Sequence, residues 1–239
     1  MREKTIRLYQ ERVLKALASK VDEFYLAGGT ALSLFYFQHR LSVDLDFFTP
    51  GFRPIRIKEI VESLEKTLSR KISLAGQNLE DKTAKILIYN IHFSSKDTLK
   101  IDFVEDVFKL IKHAKAVEGI RVLSLEDIYI RKLYAVCGAI SGIGAIGRKQ
   151  VLGGRAEAKD FYDLYFLSHT FMKLSKFIEK YGNPIIIEGL VRWFRSYDRI
   201  AMMDGVLTLD ADRQVNYKKM EAHFNNEIDK TIEDQLRDL

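Results

Sequence analysis

Cysteine is nearly missing from this chain. Cys137 is the single thiol in 239 residues, so no intramolecular disulfide can form and the chain suits a reducing compartment. The five histidines (His39, His92, His113, His169, His223) are scattered, which leaves no ligand spacing for a structural zinc site. Long apolar runs are missing too. None approaches the roughly 18 residues of a membrane span. The opening segment MREKTIRLYQERVLKAL is charged and amphipathic and lacks the apolar core of a signal peptide, so the cytoplasm is the expected location. There are no repeats, no low-complexity tract and no polybasic block. These absences argue against a disulfide-stapled scaffold, a zinc module, a membrane-spanning helix and a repeat array.

What is present is a chain that is 47% hydrophobic and 30% charged, enough for one generous domain or two small lobes sharing an interface. The net charge of +5 and pI near 9.1 are compatible with a nucleic-acid substrate without demanding one.

The stretch from Phe24 to Phe48, FYLAGGTALSLFYFQHRLSVDLDFF, organises the rest. Phe24 to Leu26 read as a buried strand. Gly28 and Gly29 permit a sharp turn that leaves backbone N–H groups uncovered, and Thr30 is placed to cap a helix running from Ala31 to about His39. Such a turn opening a helix suits phosphate. From Ser42 to Phe48 the period becomes two, with Val43, Leu45 and Phe47 on one side and Asp44 and Asp46 on the other. The two carboxylates then lie on one face, roughly 6–7 Å apart. Hard oxygen ligands suit Mg²⁺ shared with substrate phosphates, so turn and carboxylates together point to phosphoryl or nucleotidyl transfer. Read separately, the glycine turn could be plain backbone geometry and the aspartates a solvated face.

The residues GGTAL, then Arg40, then SVDLDFF resemble the opening motif of the DNA polymerase beta-like nucleotidyltransferases, and more narrowly the AbiEii/AbiGii toxins of abortive-infection and toxin–antitoxin systems. The resemblance implies an α/β (α+β) nucleotidyltransferase lobe with a mixed sheet, residues 1–122, followed by a mainly α-helical lobe, 123–239, that completes the active site. It implies Asp44 and Asp46 as catalytic metal ligands for Mg²⁺ (or Mn²⁺), and Gly28, Gly29, Thr30 and Arg40 as nucleotide-binding residues.

Later segments extend the comparison. Strand-like pieces run from Lys71 to Leu74, Lys85 to Asn90, Leu99 to Val104 and Arg121 to Leu123, and a helix runs from Ile55 to Ser69. In LKIDFV, Asp102 faces away from Leu99, Ile101 and Phe103. By resemblance Asp102 is the third metal carboxylate, with Glu105 and Asp106 as competitors; otherwise Asp102 pairs with Lys100 or meets water. A helix from Leu125 carries Lys132 on an apolar stripe, where a lysine must snorkel or have a partner. The resemblance turns Lys132 into the active site as a catalytic residue. Arg131 reads as an exposed partner of Asp127. The segment from Gly138 to Arg155 holds six glycines and reads as a mobile flap carrying Arg148 and Lys149 or as a turn between helices. In RAEAKDFYDL, Asp160 matches the family's catalytic acid, and Asp163 reads as a structural partner of Lys159. Helices are expected at Leu174 to Tyr181, Ile185 to about Ile200 and Val215 onward, with a break from Met203 to Arg213.

The expected activity is metal-dependent transfer of an NMP from an NTP to an acceptor, with release of pyrophosphate. The basic balance points to RNA, such as tRNA, as the acceptor. A cognate antitoxin is a possible partner, although no residue marks one. Alternatives are an antibiotic-type enzyme acting on a small molecule and a non-catalytic nucleotide- or partner-binding protein.

Overall fold

The computed structural model describes residues 2–81, 83–95, 97–138, 140–143, 149–152, 154–211 and 216–237; at 2–3, 140–143 and 149–152 it describes the backbone alone. The chain divides into two compact units, Met1–Tyr36 with Leu41–Ser124, and Leu125–Leu239 with Phe37–Arg40.

The first unit holds α1 (Arg2–Leu17), β1 (Tyr25–Leu26), α2 (Gly28–Ala31), β2 (Asp44–Thr49), α3 (Pro54–Leu68), β3 (Ile72–Asn78), β4 (Ile86–His92), β5 (Thr98–Glu105), β6 (Lys115–Val117) and β7 (Ile120–Val122). The strands form one mixed sheet in the order β3-β4-β5-β2-β1-β7-β6. The β2–β5 and β1–β7 pairs are parallel and the others antiparallel. The mixed sheet is the fold class expected from the sequence.

Two periodicities build this unit. Along β2 and β5, Leu45, Phe47, Leu99, Ile101 and Phe103 are buried on one face, where Phe47 stacks on Phe103 at 5.9 Å and Phe24 meets Phe103 edge-on at 5.3 Å. Along α3, Ile57, Ile60, Val61, Leu64 and Leu68 are buried at helical spacing. Pro54 starts that helix with its fixed φ, and Ser69 ends it in the left-handed region at φ 51°. The helix α1 packs on α3 and on β5. Burying each large apolar side chain is worth roughly 1.5–3 kcal/mol. A one-residue slip of β2 would expose Leu45 and Phe47 and bury two carboxylates, so the register is firmly set.

The helix after the glycine turn departs from expectation. It starts at Gly28 rather than Ala31, with Ala27 in extended conformation as its N-cap, and it continues as a π-helical stretch, Leu32–Tyr36. Thr30 therefore lies inside the helix and caps nothing. Its hydroxyl instead hydrogen-bonds Ser42 Oγ at 2.8 Å and donates to the Asp44 carbonyl, tying the helix to the entry of β2. The strand β6 was not foreseen, because all three of its residues are exposed and carry no apolar alternation.

The second unit comprises α4 (Leu125–Cys137), β8 (Ile140–Ile143), β9 (Lys149–Leu152), α5 (Ala158–Phe166) with a π-helical extension Leu167–Phe171, α6 (Leu174–Tyr181), α7 (Pro184–Ser196), α8 (Arg199–Leu207) and α9 (Tyr217–Arg237). Phe161 of α5 centres its core, ringed by Trp193, Tyr197, Tyr217 and Phe224 at 4.7–6.0 Å between centroids. In the glycine-rich segment β8 and β9 pair antiparallel. Arg148 and the side chain of Lys149 lie outside the described residues. The single helix expected from Ile185 to Ile200 is two. Asp198 starts α8 by accepting from the N–H groups of Ile200 and Ala201 at 2.9 and 3.0 Å, so the expected break at Met203 falls after Leu207.

Candidate active site

Three carboxylates share the face of the first unit's sheet opposite its apolar core. Asp44 and Asp46 alternate with buried Leu45 and Phe47 on β2, and the parallel register with β5 sets Asp44 beside Lys100 and Asp46 beside Asp102. Of the three acids considered on or after β5, Asp102 is the one on this face. Asp106 instead accepts from the Tyr25 hydroxyl, and Glu105 accepts from the Lys85 N–H at 3.1 Å. Lys100 does pair with Asp102, with Nζ 2.8 Å from Oδ2, and it also reaches Asp44 Oδ2 at 3.3 Å. Partial burial disfavours its charge, but the Asp102 and Asp44 carboxylates outweigh this and hold Lys100 above the ordinary lysine value.

The glycine turn lies against the same carboxylates. Gly28 has φ +68°, and a Cβ built on it would stand 2.6 Å from Asp46 Oδ2. A residue with a side chain would be strained at this φ and would push the Asp46 carboxylate aside. The Ala27 N–H donates to the Asp46 carbonyl at 2.9 Å, fixing β1 and β2 as the turn's two walls. The first i→i−4 bond of the helix is Ala31 N–H to the Ala27 carbonyl, so the amides of Gly28, Gly29 and Thr30 precede the helical ladder. These amides, at the start of a helical stretch that runs from Gly28 to Tyr36, are the groups of the turn that could meet an anion.

The second unit carries a buried ionic network. Lys132 on α4, 7% exposed, pairs with Asp160 Oδ1 and with Asp163 Oδ2, both at 2.7 Å. It does not snorkel. Asp163 also receives the Arg40 guanidinium as a fork, Nε at 2.7 Å and Nη2 at 2.7 Å, and His39 Nε2 at 2.8 Å. A carboxylate can only accept, so Nε2 carries the His39 proton. Asp160 receives Arg155 as well as Lys132. Burial would drive the two carboxyls up. Lys132 with Arg40 instead holds Asp163 well below the carboxylate range, and Lys132 with Arg155 lowers Asp160. Burial likewise opposes the charge on Lys132, and the two aspartates keep it above its ordinary value.

Several sequence expectations change here. Asp163 does not pair with Lys159, which bonds Glu157 at 2.9 Å; its partners are Lys132, Arg40 and His39. The Asp127–Arg131 pair is not exposed, since Asp127 is fully buried. Arg40 has its guanidinium on Asp163, at 4% exposure. Sequence reasoning missed His39 and undervalued Asp163. The i, i+3 spacing of Asp160 and Asp163 placed them on one face, but partners more than 120 residues away leave no local pattern.

Whether the carboxylates suit a divalent metal can be judged from the donors. Asp44, Asp46 and Asp102 offer hard oxygens on one face, and a cation, the Lys100 ammonium, already lies between two of them. Among the described residues no three His, Cys, Asp or Glu side chains converge as a ready metal site. The carboxylate oxygens are donors of the type a hard divalent ion takes, and two of the three side chains are paired with the Lys100 ammonium.

The sequence profile of the family described as "Nucleotidyl transferase AbiEii toxin, Type IV TA system" matches residues 12–239. The chain belongs to this family. It is a nucleotidyltransferase by that membership. An uncharacterised relative from Aquifex aeolicus, aq_aa25, is 31% identical over 187 residues, covering 71% of this chain and 73% of that one. Two crystal structures from Helicobacter pylori share the fold. One is of a candidate nucleotidyltransferase, with TM-score 0.61, 18% identity and coverage of 98% of this chain and 96% of that one. The other is JHP933, with TM-score 0.61, 19% identity and coverage of 100% and 96%. Among the described residues, no helix is long and apolar enough to cross a membrane.

Proposed function

We propose that this AbiEii-family protein is a toxin that transfers an NMP from an NTP to an RNA acceptor, tRNA or a tRNA-like molecule, using Mg²⁺ or Mn²⁺ at Asp44, Asp46 and Asp102. The observation that carries this reading is the approach of Gly28 to Asp46, which brings the amide turn and the carboxylate face to one place. When bound, the divalent ion would neutralise the phosphates and lower the pKa of the attacking hydroxyl. In this reading the amides of Gly28, Gly29 and Thr30 hold phosphate oxygens, and the carboxylates orient the acceptor hydroxyl and take its proton. The acceptor oxygen bonds to the α-phosphorus, the bond from that phosphorus to the bridging oxygen breaks, and pyrophosphate leaves. Lys132 and Asp160 are paired with each other inside the buried network of the second unit and have a structural role there. Arg40 is left out of the nucleotide set, because both arms of its fork are on Asp163. A cognate antitoxin is the expected protein partner, consistent with the family description.

The test is transfer of α-labelled NTP to bulk tRNA by the intact chain and by Asp44→Asn. Label on RNA, reduced about a thousandfold by the substitution, is the expected result. Label on small acceptors alone would replace this reading with an antibiotic-type enzyme. Bound NTP without any transfer would replace it with a binding protein.

A further inference from the structure

Lys100 occupies a position that the proposed reaction does not use. Its ammonium lies 2.8 Å from Asp102 Oδ2 and 3.3 Å from Asp44 Oδ2, bridging carboxylates on two neighbouring strands. A divalent ion held by Asp44 and Asp102 would compete with the ammonium for the same carboxylate oxygens. The lysine stem is flexible and about one-third exposed. Beside it lies a cavity of about 390 Å³ whose walls include Tyr9, Val43, Asp44, Asn90, Thr98 and Lys100 itself. The ammonium therefore has somewhere to go.

We propose that Lys100 is a built-in counter-ion that competes with the divalent cation for Asp44 and Asp102, its ammonium swinging into the adjoining cavity when the ion binds. The proposal rests on reading Asp44, Asp46 and Asp102 as the metal-binding set. It gives Lys100 two effects. The ammonium relieves carboxylate repulsion in the metal-free protein, and it weakens metal binding by having to be displaced. A lysine suits the task better than an arginine, because a compact point charge on four carbons leaves more easily than a bidentate fork.

The experiment is Mn²⁺ binding to the full chain, followed by calorimetry and by the free-Mn²⁺ signal in electron paramagnetic resonance, for the natural sequence, Lys100→Met, Lys100→Arg and Asp44→Asn. Lys100→Met should bind Mn²⁺ roughly tenfold more tightly, equivalent to about 1.4 kcal/mol. It should also melt lower than the natural sequence without metal, with Mn²⁺ raising its melting temperature by a larger increment. Lys100→Arg, which keeps the charge but holds the carboxylates with a fork that is harder to displace, should bind Mn²⁺ more weakly than the natural sequence. A fold merely damaged by the substitution would not bind the ion more tightly. Unchanged or weaker binding by Lys100→Met, with Asp44→Asn defective, would overturn the counter-ion role alone. If neither the natural chain nor Lys100→Met binds Mn²⁺, or Asp44→Asn binds it normally, the metal reading falls and this inference with it.

Discussion

Asp163 shows how much a single buried charge can demand of its neighbours. It is fully buried and held ionised by Lys132, Arg40 and His39. Replacing it by asparagine keeps the shape and leaves two buried cations without their shared anion. Removing one partner of a buried pair costs about 3–5 kcal/mol. Asp163→Asn should therefore lose about that much stability in urea unfolding at neutral pH. The pH dependence follows from the direction of each shift. Asp163 is depressed, so its contribution is in full above the ordinary carboxylate pKa and disappears as pH falls through the lower folded value. Lys132 is raised, so its contribution is in full below the ordinary lysine pKa and is lost as pH climbs through the higher folded value. The gap between natural and Asp163→Asn chains should be flat across neutral pH and shrink in acid, where the natural chain loses the same anion. A gap that stays constant into strong acid would show that Asp163 is not the ionised centre of this network.

At the scale of elements, the turn from β1 into α2 is where one methyl group should matter most. Alanine at position 28 must adopt φ +68° and place its Cβ against Asp46. The backbone cost is only about 1–2 kcal/mol, because it falls on one residue. The cost to catalysis should be larger, since a 1 Å displacement of a reacting group can cost about a hundredfold. Gly28→Ala is expected to melt only a few degrees lower yet lose transfer activity about a hundredfold. Equal activity at the natural melting temperature would mean that the turn is ordinary backbone.

The turn also illustrates what was legible in the sequence. Asp44 and Asp46 could be placed on one face because strands alternate strictly, and α3 and α6 could be bounded because their apolar spacing is regular. The role of Thr30 was not legible. Choosing between a cap and a mid-helix tether to Ser42 depends on where Gly28 turns, which is a tertiary matter. The split of α7 from α8 was signalled by Asp198, but the apolar pattern on both sides masked it. Lys132 was recognisable as a lysine needing a partner, whereas the identity of both partners depended on packing α4 against α5.

For the whole molecule, the quantity that bears on the acceptor is the net charge of +5. An enzyme that modifies RNA must gather a polyanion, and each phosphate it neutralises releases counter-ions. An enzyme that modifies a cationic small molecule gains nothing from that term. The two alternatives therefore separate by ionic strength without knowledge of the acceptor's sequence. If RNA is the acceptor and lysines and arginines of the chain engage about two or three phosphates, raising monovalent salt from about 50 to 200 mM should lift the KM for RNA roughly tenfold. On the proposed reading the KM for NTP should move much less, because the turn amides and a divalent ion held by the carboxylates would meet its phosphates at close range. Measuring both constants across a salt series, with magnesium held fixed, makes the comparison internal. Parallel salt slopes for RNA and NTP would show that the overall charge plays no part in choosing the acceptor, and would turn the search toward small molecules.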